Sequence, residues 1–184
     1  DGTTWPLARL RVTYTAGPAP LGSGRGHADP TLVVVADELP PAAADVAVVV
    51  VGVNDITNQV PSAAALKHRG EIAVWLEAHA EVADVLFPAL PEMENFPSLP
   101  QPLAWWAGQM SRRNNRAQAR WAAGWPLAKP RLAHVAMDGL LRPELMASDG
   151  FHPGPGLYAR VVEHLAEVIA RDVVARQRLT EENK

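Results

Sequence analysis

The sequence predicts an α/β fold: a three-layer α/β/α sandwich with a parallel, doubly wound sheet. From Asp45 onward, short apolar segments of strand length alternate with longer segments of helical periodicity. The run Val46–Val51 is β-branched apart from one alanine, which is typical of a parallel strand buried on both faces. Each pair of predicted strands is separated by enough residues for a right-handed helical crossover. Together these observations favour helices on both faces of one sheet.

Size and composition are those of one globular domain spanning residues 1–184. The chain is 48% apolar, which argues against a disordered protein. There is no cysteine, so disulfides and thiolate metal sites are excluded. The formal net charge of −3 gives no indication of nucleic-acid binding. The longest apolar run, Val46–Val53, is far shorter than the roughly 18–20 residues of a membrane span, so no integral membrane segment is expected.

The first 44 residues have the weakest pattern. Leu7–Thr15 alternates well enough to be a strand. The Gly- and Pro-rich segment Ala16–Pro30 is predicted to be a loop. Thr31–Leu39 contains a short apolar run that fits either a short strand or a helix; we favour a helix that ends before two prolines.

The remaining elements follow in strict alternation. A helix over Ser62–Ala80 begins after Pro61, and a strand over Val82–Phe87 ends at Pro88. A proline-rich loop over Glu92–Pro102 leads into a long helix. The last four segments are a helix at Leu103–Ala123, a strand at Leu132–Met137, a loop at Asp138–Gly150 and a helix at Gly156–Val174. The charged tail Arg176–Lys184 is expected to fray.

Two loops that follow predicted strands carry polar residues suited to chemistry. In Gly52-Val53-Asn54-Asp55, glycine allows close approach of the backbone, and the Asn54 amide could donate to a developing oxyanion. The alternative is that Asn54 or Asp55 only caps the next segment. In Asp149-Gly150-Phe151-His152-Pro153, the acidic side chain could orient the imidazole as a general base. The alternative is a turn-capping aspartate beside an ordinary surface histidine.

Together, in this order, the two loops resemble sequence blocks of the SGNH, or GDSL-type, hydrolases. Gly52-Val53-Asn54-Asp55 is similar to their third block, G-x-N-D, and Asp149-Gly150-Phe151-His152-Pro153 is similar to their fifth, D-x-x-H-P. The resemblance covers roughly residues 45–175. It implies an esterase acting on a small-molecule ester, small acyl or lipid-like, through a Ser–His–Asp acyl-enzyme mechanism with no cofactor and no metal.

The resemblance also implies roles for individual residues. His152 would be the base and Asp149 the acid that orients it. Asn54 would be an oxyanion-hole donor, and Gly17, which follows the first predicted strand, would supply a second donor from its backbone.

The nucleophile block of that family is missing from these residues. No Gly-Asp-Ser occurs in the chain, and Ser23 in Leu21-Gly22-Ser23-Gly24 is only a partial match without a preceding strand. We expect the family's first strand and helix to precede Asp1. The competing hypothesis is a catalytically inactive α/β domain that binds an ester or carbohydrate without hydrolysing it.

Two other residue groups have plain structural interpretations. Four arginines of the long helix, Arg112, Arg113, Arg116 and Arg120, are expected to form a solvated face rather than a phosphate site. Four tryptophans could line an acyl pocket, although packing between helix and sheet is the simpler interpretation. These are Trp105, Trp106, Trp121 and Trp125. The sequence does not specify compartment or oligomeric state.

Overall fold

In the computed structural model, the residues described are 11–16, 30–35 and 44–174. Strands β1 (Arg11–Ala16) and β2 (Pro30–Val35) pair antiparallel and form a two-stranded sheet. β1 agrees with the strand predicted at Leu7–Thr15. Most of the predicted loop between these strands, and the tail predicted to fray, lie outside the described residues.

The helix predicted at Thr31–Leu39 is wrong, because the described part of this segment lies in β2. Val33 pairs with Thr13 in the register of the hairpin, and Val34 pairs with Val12. A short run of Thr and Val carries no periodicity that separates strand from helix, and β-branched residues favour the extended backbone once a partner strand is present.

A parallel three-stranded sheet forms the centre of the domain. Its strands are β3 (Val46–Val48), β4 (Asp84–Pro88) and β5 (Arg131–Val135), in the order β3-β4-β5. All five residues of β4 are buried, as expected for a strand paired on both sides. The first strand of this sheet, β3, ends at Val48 and is shorter than the strand predicted at Val46–Val51. The predicted segment is also not buried throughout: Val50, which lies beyond the end of β3, is 70% exposed.

The helices are α1 (Val53–Thr57), α2 (Ser62–Ala80), α3 (Leu103–Ala123) and α4 (Pro155–Val168), which continues as π-helical turns over Ile169–Val174. The last three agree closely with the predicted helices, whereas α1 lies where the sequence predicted a loop after a strand. Single 3-10 turns occupy Met93–Asn95 and Pro143–Leu145 within the two predicted loops. The four arginines of α3 are exposed, as predicted.

The sheet has helices on both faces. Val85 and Phe87 of β4 point to one face, where they pack in a cluster with Leu76 of α2 and, at its border, Trp121 of α3. Leu86 points to the other face and packs with Leu165 of α4. Successive side chains of the central strand thus contact α2 and α3 on one face of the sheet and α4 on the other. This confirms the predicted three-layer α/β/α sandwich.

A third apolar cluster joins the segments that leave the carboxyl ends of all three parallel strands. It includes Ile56 after β3, Leu90 and Phe96 after β4, and Leu141 and Leu157 after β5. The carboxyl edge of the sheet is therefore one packed unit. In a parallel α/β sheet this is the edge where ligands bind.

Candidate active site

The segment before α4 contains a tight Asp–His turn. One carboxylate oxygen of Asp149, Oδ1, accepts hydrogen bonds from the backbone N–H groups of Phe151 and His152, each at 2.9 Å. The other, Oδ2, lies 2.5 Å from Nδ1 of the His152 ring. Asp149 therefore both caps the turn and holds the imidazole, so the two interpretations of this loop are compatible.

Electrostatics favour the ionised form of Asp149. The backbone N–H of His152, the His152 ring and the backbone N–H of Phe151, in that order, lower the pKa of the carboxyl to about 2. The side chains of His152 and Asp149 are 70% and 50% exposed, so the pair is open to a ligand from solvent. A carboxylate that stays charged can orient and stabilise an imidazolium formed during proton transfer.

The loop after β4 packs against this turn. The rings of Phe96 and Phe151 meet edge to face with centroids 5.3 Å apart. Ser98 donates two hydrogen bonds to the carbonyl oxygen of Gly150, from its backbone N–H at 3.2 Å and its hydroxyl at 3.0 Å. Gly150 has a φ of +65°, in the left-handed region that favours glycine. These contacts fix the position of the Asp–His turn.

Asn54 lies in the first turn of α1, the helix that follows β3 in the chain. The helix begins after Gly52, and no side chain caps it, so the hypothesis that Asn54 or Asp55 is the cap is wrong. Asn54 is exposed, and its side-chain amide has no hydrogen-bond partner among the described residues. Ile56, two residues later, belongs to the apolar cluster of the carboxyl edge. The amide is thus available at the edge where the Asp–His turn also packs.

Of the four residues singled out in the sequence, Asp149 and His152 are in direct contact, and Asn54 lies in a segment that packs against the same apolar cluster as their turn. The neighbours of Asn54 and of His152, namely Val53 and Phe151, both pack against this cluster. Gly17 lies outside the described residues, as does Ser23.

A small polar cavity of about 110 Å³ opens at this edge between the segments after β4 and β5. Its polar lining residues are Glu92, Glu94, Ser111, Arg112, Asn115 and Asp138. Asn115 anchors the wall, since its side chain pairs with both the N–H and the C=O of Leu90, at 2.8 and 2.9 Å. A much larger apolar groove, about 610 Å³, lies on the outer surface of α2 and α3, and it contains none of the site residues.

Sequence reasoning missed two sets of supporting residues. One is Phe96 and Ser98, which contact the Asp–His turn from the preceding loop. The other is Arg69 of α2, which is 3% exposed and forms an ion pair with Asp55 at 2.9 Å. An arginine that interrupts the apolar pattern of a helix only weakly indicates a buried ion pair. The sequence could not show that its partner is Asp55, 14 residues away.

An α/β/α sandwich with an Asn-bearing turn after one strand and an Asp–His turn before the last helix has the arrangement expected of an SGNH-type hydrolase. A family model described as the GDSL-like Lipase/Acylhydrolase family matches residues 15–160. The match covers most of the chain and includes Asn54, Asp149 and His152. The chain therefore belongs to this family of acylhydrolases. No curated protein and no solved structure matches the chain significantly. Within the part of the chain that the structure describes, no helix could span a membrane.

Proposed function

We propose that this protein is an ester hydrolase of the SGNH type that acts on small acyl esters. The observation that carries the proposal is the 2.5 Å contact between His152 Nδ1 and Asp149 Oδ2 at the carboxyl edge of the sheet. Membership of an acylhydrolase family supports the reaction class. Asn54, Asp149 and His152 do not line the small polar cavity between the segments after β4 and β5. If the acyl group occupies that cavity, a short chain is favoured over a long one, because burying an apolar chain beside carboxylates desolvates them.

In this mechanism His152 is the general base. Its bond to Asp149 keeps a proton on Nδ1 and leaves Nε2 to accept the proton of the attacking hydroxyl. The hydroxyl oxygen then bonds to the ester carbonyl, and the carbonyl oxygen takes up negative charge, which the Asn54 amide stabilises. The protonated His152 gives its proton to the leaving alcohol, and water hydrolyses the acyl-enzyme by the same path.

The nucleophile has no assigned residue, since no serine of the chain follows Gly-Asp. That absence favours the second candidate function, a domain that binds an ester or carbohydrate without cleaving it. With base, acid and oxyanion donor but no nucleophile, only weak hydrolysis from binding and the oxyanion hole would remain.

Hydrolysis of p-nitrophenyl acetate by the wild type, His152→Ala and Asn54→Ala separates these cases. If a nucleophile operates, His152→Ala abolishes most of the activity, and a fluorophosphonate labels a single serine that peptide mapping identifies. If none operates, weak hydrolysis survives His152→Ala but falls in Asn54→Ala. Activity that neither substitution lowers would contradict the proposed site, and no activity at all would favour the binding domain.

A further inference from the structure

Arg69 is a charged side chain in an unusual place. It lies within α2 and is 3% exposed, whereas arginine is rarely this buried unless it is paired. Its Nη2 atom lies 2.9 Å from Oδ2 of Asp55, in the first turn of α1. A buried cation of α2 thus reaches the residue directly after Asn54.

The same guanidinium packs on the other side of Asn54. A Cβ atom built on Gly52 would lie 2.6 Å from Nη2 of Arg69, too close for any real side chain. Gly52 also has a φ of +123°, which disfavours other residues. A single nitrogen of Arg69 therefore contacts the chain at Gly52 and at Asp55, which flank Val53 and Asn54.

Burial opposes the charged forms of both members of this ion pair. Burial is the largest influence on both groups: it raises the pKa of Asp55 despite the nearby guanidinium, and it lowers the pKa of Arg69 despite the nearby carboxylate. The Nε atom of Arg69 is buried and has no hydrogen-bond partner among the described residues. Buried pairs of this kind are often replaceable by apolar residues without loss of stability.

We infer that Arg69 is a positioning residue that fixes the direction of the Asn54 amide, by pairing with the Asp55 carboxylate on one side of it and packing against Gly52 on the other. α1 has five residues and no side-chain cap, and a helix this short is not stable by itself. Ile56 anchors α1 in the apolar cluster of the carboxyl edge, and the Asp55–Arg69 pair ties α1 to α2. A donor in an oxyanion hole has to be held to within about 0.5 Å to be effective. The inference rests on the proposed role of Asn54.

The test compares the wild type with Arg69→Lys, with Arg69→Met and with the double variant Asp55→Leu/Arg69→Met. The double variant removes both charges and so avoids a buried, unpaired carboxylate that could prevent folding. Lys67→Met is the control, because it breaks an exposed ion pair with Glu71 on the same helix. Amide hydrogen exchange is followed at Ile56 and Asn58, which donate to Gly52 and Asn54, and at Leu76 in the core.

We expect the double variant to exchange about tenfold faster at Ile56 and Asn58 while Leu76 changes less than about twofold. Arg69→Lys should restore part of the protection, and Lys67→Met should match the wild type. Unchanged exchange at Ile56 and Asn58 would overturn the inference, since Arg69 would then not hold this segment. Equal acceleration at Leu76 would also overturn it, since the role of Arg69 would then be general stabilisation of the fold.

Hydrolysis of p-nitrophenyl acetate provides the second measurement. Where Asn54→Ala lowers kcat, the double variant Asp55→Leu/Arg69→Met should lower it as far with little change in KM, and adding Asn54→Ala to this double variant should lower kcat no further. Independent, additive losses would overturn the positioning role. If Asn54→Ala has no effect, the proposed function fails, and the exchange data alone decide whether Arg69 holds this segment.

Discussion

The carbonyl oxygen of Gly150 accepts hydrogen bonds from both the backbone N–H and the hydroxyl of Ser98, 52 positions earlier in the chain. This contact joins the loop after β4 to the turn that carries Asp149 and His152. The base of the proposed reaction is thus supported from a neighbouring strand and not only by its own turn. Two independent features of Gly150, its left-handed backbone and its close packing against Ser98, each disfavour a larger residue at this position.

Gly150→Ala should therefore be more destabilising than Gly139→Ala. Both glycines have a similar positive φ, +65° and +70°, which alone costs an L-residue about 1–2 kcal/mol. A Cβ at Gly150 would also lie 3.0 Å from the Ser98 nitrogen, whereas a Cβ at Gly139 would meet nothing within 4 Å. Urea unfolding of the two variants measures the difference. Equal losses would show that Ser98 does not constrain the turn.

The pH dependence of stability should reveal the Asp149 carboxylate. Its pKa is depressed from 3.8 to about 2 in the folded protein, so the folded state binds fewer protons than the unfolded state between these values. The resulting stabilisation is present above about pH 4 and is lost as the pH falls toward 2. The free energy of unfolding should decrease more steeply in the wild type than in Asp149→Asn over this interval. Asparagine keeps an oxygen that can accept the two backbone N–H groups, so parallel curves would contradict the shift.

The relative effects of substitutions at the site should follow their chemical roles. If a nucleophile operates, we expect His152→Ala and Asp149→Asn each to lower kcat by about 10⁴-fold or more, and the double variant to lose little further. Asn54→Ala should lower kcat by about 10²–10³-fold. Steady-state kinetics with p-nitrophenyl acetate gives these values. Additive losses for His152 and Asp149 would argue against a shared proton-transfer role.

Acyl-chain preference tests whether the acyl group of the substrate enters the polar cavity at the carboxyl edge, which the proposed catalytic residues do not line. A volume of about 110 Å³ lined by Glu92, Glu94 and Asp138 suits an acetyl or similarly short group. We expect kcat/KM to fall by about tenfold or more from p-nitrophenyl acetate to p-nitrophenyl decanoate, because a long chain would have to desolvate these carboxylates. A preference for the decanoate would assign substrate binding to a different, apolar surface.

The core prediction concerns Phe87, which is 1% exposed at the centre of the sheet. Its ring packs edge to face on Trp121 of α3, with centroids 5.5 Å apart. Phe87→Ala should lower the free energy of unfolding by about 3–5 kcal/mol. Tryptophan fluorescence monitors unfolding in urea, and Val50→Ala, at a position 70% exposed, should be nearly neutral by comparison. A loss below about 1 kcal/mol for Phe87→Ala would contradict this packing.

Features governed by neighbours along the chain could be predicted from the sequence. The bounds of α2 and α3 match the predicted helices at both ends, because periodicity and flanking prolines act within a few residues. The Asp149–His152 contact also follows from local geometry, since three residues in a glycine-containing turn bring the side chains together. The sequence likewise predicted that Asn54 lies in a polar segment that follows a strand.

Only the tertiary structure decided the features that depend on distant residues. The segment of β2 could be either helix or strand until β1 paired with it, and the strand predicted over Val46–Val51 ends at Val48, with Val50 exposed beyond it. The supports of the site, Arg69 beneath the Asn54 turn and Ser98 beside the His152 turn, come from other elements. Sequence patterns report which face of an element is apolar, but which groups meet across the core depends on how the elements pack. The sequence therefore predicted the chemical groups of the proposed site, whereas the contacts that hold these groups in place depend on the fold.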